Sequence, residues 1–192
     1  MAERIIAVDI DDTLNNFSQT LRETDFAYHP RYALREERFH ELLAKVKAGH
    51  SEPSELLSTE YSYFKAQIHL QVYERGRARP DAVEFMQDLR ASGWKIVICT
   101  YRDLRRSSEI TQAWLHANAI PFDYLFRANN KVVFCRSWGI RYLIDDDPLN
   151  ITHGGAHGVD VFYPAGLHTE LNPHPTARSF LSFREVRQWI GN

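Results

Sequence analysis

Residues 5–14 read IIAVDIDDTL, and this stretch decides the fold. Its four apolar residues, Ile5 to Val8, suit a strand buried on both faces and are too few for a helix. The run then breaks at Asp9 and, after Ile10, meets Asp11, Asp12 and Thr13. In an open parallel sheet, ligands bind where loops leave the carboxyl ends of the strands, and Asp9 stands at such an end. Residues two apart in extended chain project the same way, so Asp9 and Asp11 are expected to face one site, about 6–7 Å apart at Cα. Two carboxylates so placed repel each other and require a compensating charge, which a hard cation such as magnesium supplies. The plainer reading is a solvated turn in which Asp12 or Thr13 caps the next helix. It suffices for Asp12 and leaves the rest of the group unexplained.

Four more apolar runs have strand length: Trp94 to Thr100 (WKIVICT), Tyr124 to Phe126, Arg141 to Asp145 (RYLID) and Val159 to Tyr163 (VDVFY). Helical patterns lie between them. RPDAVEFMQDLRASG carries Pro80 in a first turn, Val83, Met86 and Leu89 along one stripe, and Gly93 as a stop. SSEITQAWLHANAI repeats Ile110, Ala113, Trp114 and Ala117 at helical spacing, and SFREVRQWI opens on Ser182 and Glu185 as a capping box. Apolar strands alternating with helices predict an α/β protein, a Rossmann-like parallel sheet with helices on both faces. Residues 15–77 break the alternation with two helical patterns, REERFHELLAKVKAG and SELLSTEYSYFKAQIHLQVYERG, separated by HSEPS. The expected organisation is a core of residues 1–14 and 78–192 with a small helical cap, 15–77, inserted after the first strand. Tyr61, Tyr63, Phe64 and Ile68 resemble a stacking surface, but aromatic stripes on helices are far more often core.

A chain of 192 residues with 23 basic and 25 acidic side chains, net charge −2, lacks the basic excess that binding a phosphate backbone needs, so polymeric nucleic acid is disfavoured as a partner. Two cysteines, Cys99 and Cys135, cannot make a disulfide scaffold in a chain this long and read as reduced core residues. No segment has the length of a membrane span and the first residues lack a signal-peptide apolar region. The expectation is a soluble, cytoplasmic protein with no membrane partner; the sequence is silent on oligomeric state.

A second acidic cluster repeats the first. In YLIDDDPLN an apolar strand runs into Asp145, Asp146 and Asp147. Pro148 suits a first helical turn and makes Asp147 a natural N-cap, which leaves Asp145 and Asp146 for another purpose. If the two strands are neighbours, their acids converge and supply the oxygen ligands of a magnesium ion.

Asp9, Asp11 and Thr13 in VDIDDT, Thr100 ending KIVICT, Lys131 in NNKVV and the acids of LIDDDP together resemble the four ordered motifs of the haloacid dehalogenase (HAD) superfamily. The resemblance implies a HAD-type fold and a magnesium-dependent phosphatase. Asp9 would be the nucleophile that takes the phosphoryl group, a route open to carboxylates. Asp11 would protonate the leaving oxygen and later deprotonate water; the dehalogenating branch has no need of this second acid. Thr100 would donate a hydrogen bond to the phosphoryl group, and Lys131 would place a point charge beside it. Asp9, Asp11, Asp145 and Asp146 would hold the metal, with Thr13, Phe17, Tyr101 and Arg102 near the substrate.

Each of these residues has an ordinary alternative. Thr100 also suits the end of a strand. Lys131 also suits the surface, although a cation in the first turn of a helix capped by Asn130 meets the wrong end of the macrodipole. Arg102 is close enough to Thr100 to fork onto phosphate oxygens, whereas Arg105 and Arg106 read as an exposed helix start. His153 and His157 have a metal-like separation, but the glycines between them predict a loop.

A helical cap implies a small phosphorylated substrate, since a lid excludes macromolecules. Within the superfamily the motifs are most similar to the deoxyribonucleotidase-like group, in which an aromatic at the position of Phe17 borders the nucleotide, so a nucleoside monophosphate is one expected substrate. The sequence departs from that group at Asp12, at Tyr101 and Arg102, and in the longer gap between Lys131 and Asp145. Two alternatives remain, a polynucleotide-end phosphatase and a HAD-fold binding module without chemistry.

Overall fold

The computed structural model describes residues 4–30, 34–47, 59–167 and 171–191. The chain divides into two compact units, residues 1–16 with 77–192, and residues 17–76.

The first unit is built on six parallel strands. They are β1 (Ile5–Val8), β2 (Lys95–Thr100), β3 (Tyr124–Arg127), β4 (Tyr142–Ile144), β5 (Asp160–Pro164) and β6 (Arg178–Phe180), in the order β3-β2-β1-β4-β5-β6. Five of them were expected; β6 was not. It is three residues long with one buried side chain, Phe180, too short for an alternating pattern to show.

Alternation along the strands explains the two cores. Ile6 and Val8 of β1 and Ile96 and Ile98 of β2 point to one face, where α4 (Pro80–Ala91), α5 (Leu104–Ala117) and α8 (Phe183–Gly191) bring Phe85, Met86, Leu89, Trp114, Phe183 and Val186. Ala7, Val97 and Cys99 point to the other, against Val132 and Cys135 of α6 (Lys131–Ser137) and Ile151 of α7 (Pro148–His153). With helices on both faces the strands read as continuous apolar runs, which is why the sequence revealed them. Both cysteines are buried and free, and burial pushes the Cys135 thiol up to about 12, so neither is a reactive thiolate at neutral pH.

The second unit contains α1 (Phe17–Glu23), α2 (Glu36–Lys47) and α3 (Thr59–Arg75). Residues 48–58, which include the whole HSEPS break, lie outside the described residues. Phe64 and Ile68 join Phe39, Leu42 and Val72 in the core of this unit, with Tyr61 and Tyr63 packed against it, so the aromatic stripe is core. Two glutamines of α3 hold the segment after α1: Gln67 Oε1 accepts from the His29 amide at 3.0 Å, and Gln71 Oε1 from the Ala27 amide at 3.0 Å. Among the described residues no helix is long and apolar enough to cross a membrane.

Candidate active site

The strand order reverses between β1 and β4, and the carboxyl ends of the strands flanking such a reversal are where an open α/β sheet binds ligands. The register that sets Val8 opposite Ile144 carries the next residues, Asp9 and Asp145, to the same level. The ladder continues through them, with the Asp9 amide donating to the Ile144 carbonyl at 2.9 Å and the Asp145 amide to the Phe162 carbonyl at 3.0 Å. Both carboxylates therefore issue from backbone that the sheet fixes.

Lys131, the first residue of α6, closes the group from the side. Its Nζ lies 3.0 Å from Asp9 Oδ2 and 3.0 Å from Asp145 Oδ1. Asn130 caps that helix by accepting from the Val133 amide at 2.9 Å, which fixes where Lys131 starts. The cation thus sits at the unfavourable end of its helix because two buried carboxylates hold it there. Burial works against the ammonium, yet Asp9 and Asp145 raise its pKa above the ordinary lysine value.

Asp145 is fully engaged. Its Oδ1 also accepts from the Asp147 amide at 3.0 Å, and its Oδ2 from Asn150 Nδ2 at 2.8 Å. Asp147 caps α7 by accepting from the Leu149 amide at 2.8 Å, as Pro148 at the first position predicts. Thr13 is fully buried and its hydroxyl donates to Asp146 Oδ1 at 3.2 Å, tying the loop after β1 to the loop after β4. Thr13, predicted near the substrate, thus stands beside the acid group with its hydroxyl on a carboxylate.

The carboxylates of Asp9, Asp145 and Asp146 offer oxygens that all lie within 4.8 Å of one another. Among these four side chains three are acids and one, Lys131, is a base, an excess of acid in a largely buried place. An all-oxygen donor set with that excess fits a hard divalent cation such as magnesium. Burial pushes the Asp9 carboxyl well above its ordinary value, with Asp145 and Asp146 adding to the effect and Lys131 opposing it. Burial, then the charge of Asp145, push Asp146 up to about 7, again against Lys131.

This excess has a measurable consequence. The Asp146 carboxyl titrates at an ordinary 3.8 when unfolded and at about 7 when folded. Between those values the folded chain holds a proton that the unfolded chain has released. Without divalent cations, stability should therefore fall as pH rises through that window, by up to ~1.4 kcal/mol per pH unit for one proton. A divalent cation held there would take the place of the proton, so added magnesium should flatten the decline. Thermal denaturation across this range in chelator and in magnesium measures both, and a flat profile in chelator would remove the electrostatic argument for the metal.

Asp11, predicted with the other acids as a metal ligand, lies outside the trio. Its carboxylate is instead gripped by Arg102, with Nε to Oδ2 at 2.9 Å and Nη2 to Oδ1 at 2.6 Å. Asn15 Nδ2 adds a contact to Oδ1 at 3.2 Å. Just after Asp11 the chain turns sharply. Asp12 takes a positive φ of 56°, a conformation aspartate tolerates better than most residues, and its amide donates to Asn15 Oδ1 at 3.0 Å. Thr100, at the end of β2, is fully buried, and its Oγ1 accepts from the Arg102 amide at 3.2 Å, which leaves its proton to donate.

The remaining predicted residues fall elsewhere. Arg102, predicted near the substrate, is buried and pairs with Asp11. Tyr101 is 64% exposed, with the Arg127 guanidinium 5.8 Å from its ring centre. Phe17 belongs to the helical unit, where its ring meets His69 and Tyr73 at centroid distances of 5.4 and 5.9 Å. The His153 to Gly158 segment forms the end of α7 and a short 3-10 turn, Gly155–His157, where a loop was expected. Sequence reasoning missed Asn150 and Asn15. Both are polar residues inside helical or turn patterns, and only the tertiary structure shows which carboxylate each serves.

No family model matches the sequence, and no curated protein is similar to it in sequence. Solved structures do share its fold. A HAD-hydrolase, YfnB from Bacillus subtilis, crystallised with magnesium, superposes with a TM-score of 0.61 at 14% identity over 100% of both chains. A predicted phosphoglycolate phosphatase from Haemophilus somnus gives 0.59 at 15% identity over 98% of each chain. An L-2-haloacid dehalogenase, RSc1362, gives 0.63 at 15% identity over 100% of each. At such identities the likeness is one of fold.

Proposed function

We propose that this chain is a HAD-superfamily hydrolase that removes phosphate from a small phosphorylated metabolite through an aspartyl-phosphate intermediate on Asp9. One observation carries the reading. Two loops at the reversal point of the sheet bring Asp9, Asp145 and Asp146 within 4.8 Å of one another, with Lys131 between Asp9 and Asp145.

In this reading Asp9 attacks phosphorus through a carboxylate oxygen while the bond from phosphorus to the ester oxygen breaks and that oxygen takes a proton from Asp11. Lys131 holds Asp9 in place and presents positive charge beside the transferring group, and the Thr100 hydroxyl donates to a phosphoryl oxygen. Asp145 and Asp146 would hold magnesium with Asp9, and the ion would neutralise the charge shared by the carboxylates and the phosphate. Asp11 takes the proton of the water that resolves the intermediate, which a dehalogenating branch does not require. A nucleoside monophosphate is the first metabolite to test, because the motif resemblance is to deoxyribonucleotidase-like proteins and Phe17 packs among aromatic rings.

The purified protein is expected to release nitrophenolate from p-nitrophenyl phosphate in magnesium and to lose that activity in chelator. A panel of phosphorylated metabolites, assayed for phosphate, then orders the substrates. Absence of phosphate release across the panel in magnesium would remove the reading, and turnover of a 2-haloacid in its place would move the chain to the dehalogenating chemistry.

A further inference from the structure

The Arg102 side chain is wholly buried, at 0% exposure, while the Asp11 side chain it holds is 24% exposed. Taking a guanidinium out of water is costly unless it is hydrogen-bonded, and here each of its three nitrogens has a partner. One bidentate fork grips Asp11, Nη1 lies 3.3 Å from Thr111 Oγ1 in α5, and the backbone amide donates to Thr100 Oγ1. A buried cation anchored to α5 and to the end of β2 thus reaches across to a partly exposed carboxylate in the loop after Asp9. A buried, hydrogen-bonded cation can hold a carboxylate in one orientation while that carboxylate still meets solvent. This pair leaves accessible the member whose aim matters.

We propose that Arg102 is a positioning residue that aims the Asp11 carboxylate at the water attacking the phosphorylated Asp9. The inference rests on the phosphatase reading above. In the step concerned, the water oxygen bonds to phosphorus and the bond from phosphorus to the Asp9 oxygen breaks. Its electron pair returns to the Asp9 carboxylate, and the water proton passes to Asp11. A carboxylate on a turn samples several rotamers, and misplacing a reacting group by about 1 Å is enough to slow a reaction ~100-fold. The bidentate fork fixes both oxygens at once, which the point charge of a lysine cannot do.

The test uses the full chain, magnesium and p-nitrophenyl phosphate. Arg102→Met is expected to lower kcat ~30- to 100-fold with KM changed less than about threefold, because Arg102 touches Asp11 and not the substrate. Phosphorylation of Asp9 still proceeds, so a rapid burst of nitrophenolate approaching one per enzyme should precede the slow steady state. Arg102→Lys should fall between Arg102→Met and the parent, and in an Asp11→Asn background Arg102→Met should cause no further loss.

A raised KM at unchanged kcat, or an undiminished effect in the Asp11→Asn background, would overturn the proposal. Should Arg102→Met fail to fold, Arg102→Lys decides, and parental kcat in that variant overturns it. Asp9→Asn separates the two readings. If that variant is inactive while the Arg102 variants keep full kcat, the positioning role alone fails; if Asp9→Asn stays active, the phosphatase reading fails first.

Discussion

Asp9→Asn is expected to abolish phosphate release, by at least ~10³-fold, while leaving the fold in place. The expected loss follows from position as much as from chemistry. Asp9 leaves β1 with its amide still bonded to the Ile144 carbonyl, so an asparagine there inherits the same backbone and nearly the same volume. It cannot accept a phosphoryl group as a carboxylate does. Lys131 keeps its contact with Asp145 at 3.0 Å, and one of three crowded carboxylates is gone, so unfolding should occur within a few degrees of the parent protein. Two measurements decide it, turnover of the aryl phosphate and the denaturation midpoint. Parental activity with an intact midpoint would mean that the trio of acids does not transfer phosphate through Asp9.

The parts of this site that sequence made legible are those that backbone fixes. Asp9 and Asp145 each end a strand, and a strand of period two with an apolar run behind it announces both its direction and its end. Asp147 and Asn130 were legible as caps because helix starts follow local rules, and the structure has both accepting from amides two and three residues on. What sequence leaves open is which side chain meets which across long separations. Arg102 follows Thr100 by two residues and reads as a phosphate ligand, yet its fork closes on Asp11, ninety-one positions away. Thr13 reads as a substrate contact and bonds Asp146, one hundred and thirty-three positions away. Charge counting alone points to neither pairing, because any of several nearby partners satisfies it. The strand β6 went unread for a different reason. Its three residues bury only Phe180, and pairing with β5 makes it a strand where local pattern does not.

Lys131→Met should be the most destabilising single change at the site. Lys131 is 4% exposed, and its ammonium lies 3.0 Å from an oxygen of Asp9 and of Asp145. Removing one partner of a buried ion pair leaves the other charge uncompensated, a loss of about 3–5 kcal/mol. Here the two partners left behind are already crowded by Asp146, so in chelator the loss should reach the upper end of that range. A divalent cation held by the folded site and not by the unfolded chain would return about 2.7 kcal/mol at a hundredfold excess over its dissociation constant, and it would bind more tightly where the lysine charge has been removed. The difference between the parent and Lys131→Met should therefore shrink when magnesium is added, whereas a lysine that merely filled space would give the same difference in both buffers. Lys131→Arg keeps the charge and separates the two roles. A planar fork cannot place a single donor between Asp9 and Asp145 as an ammonium does, so stability should be largely kept while kcat falls by at least ~10-fold. Denaturation midpoints of the three proteins in chelator and in magnesium make the comparison. Equal midpoints for the parent and Lys131→Met in chelator would mean that the three acids are neutral without the ammonium, and the case for a divalent cation built on their excess charge would then be lost.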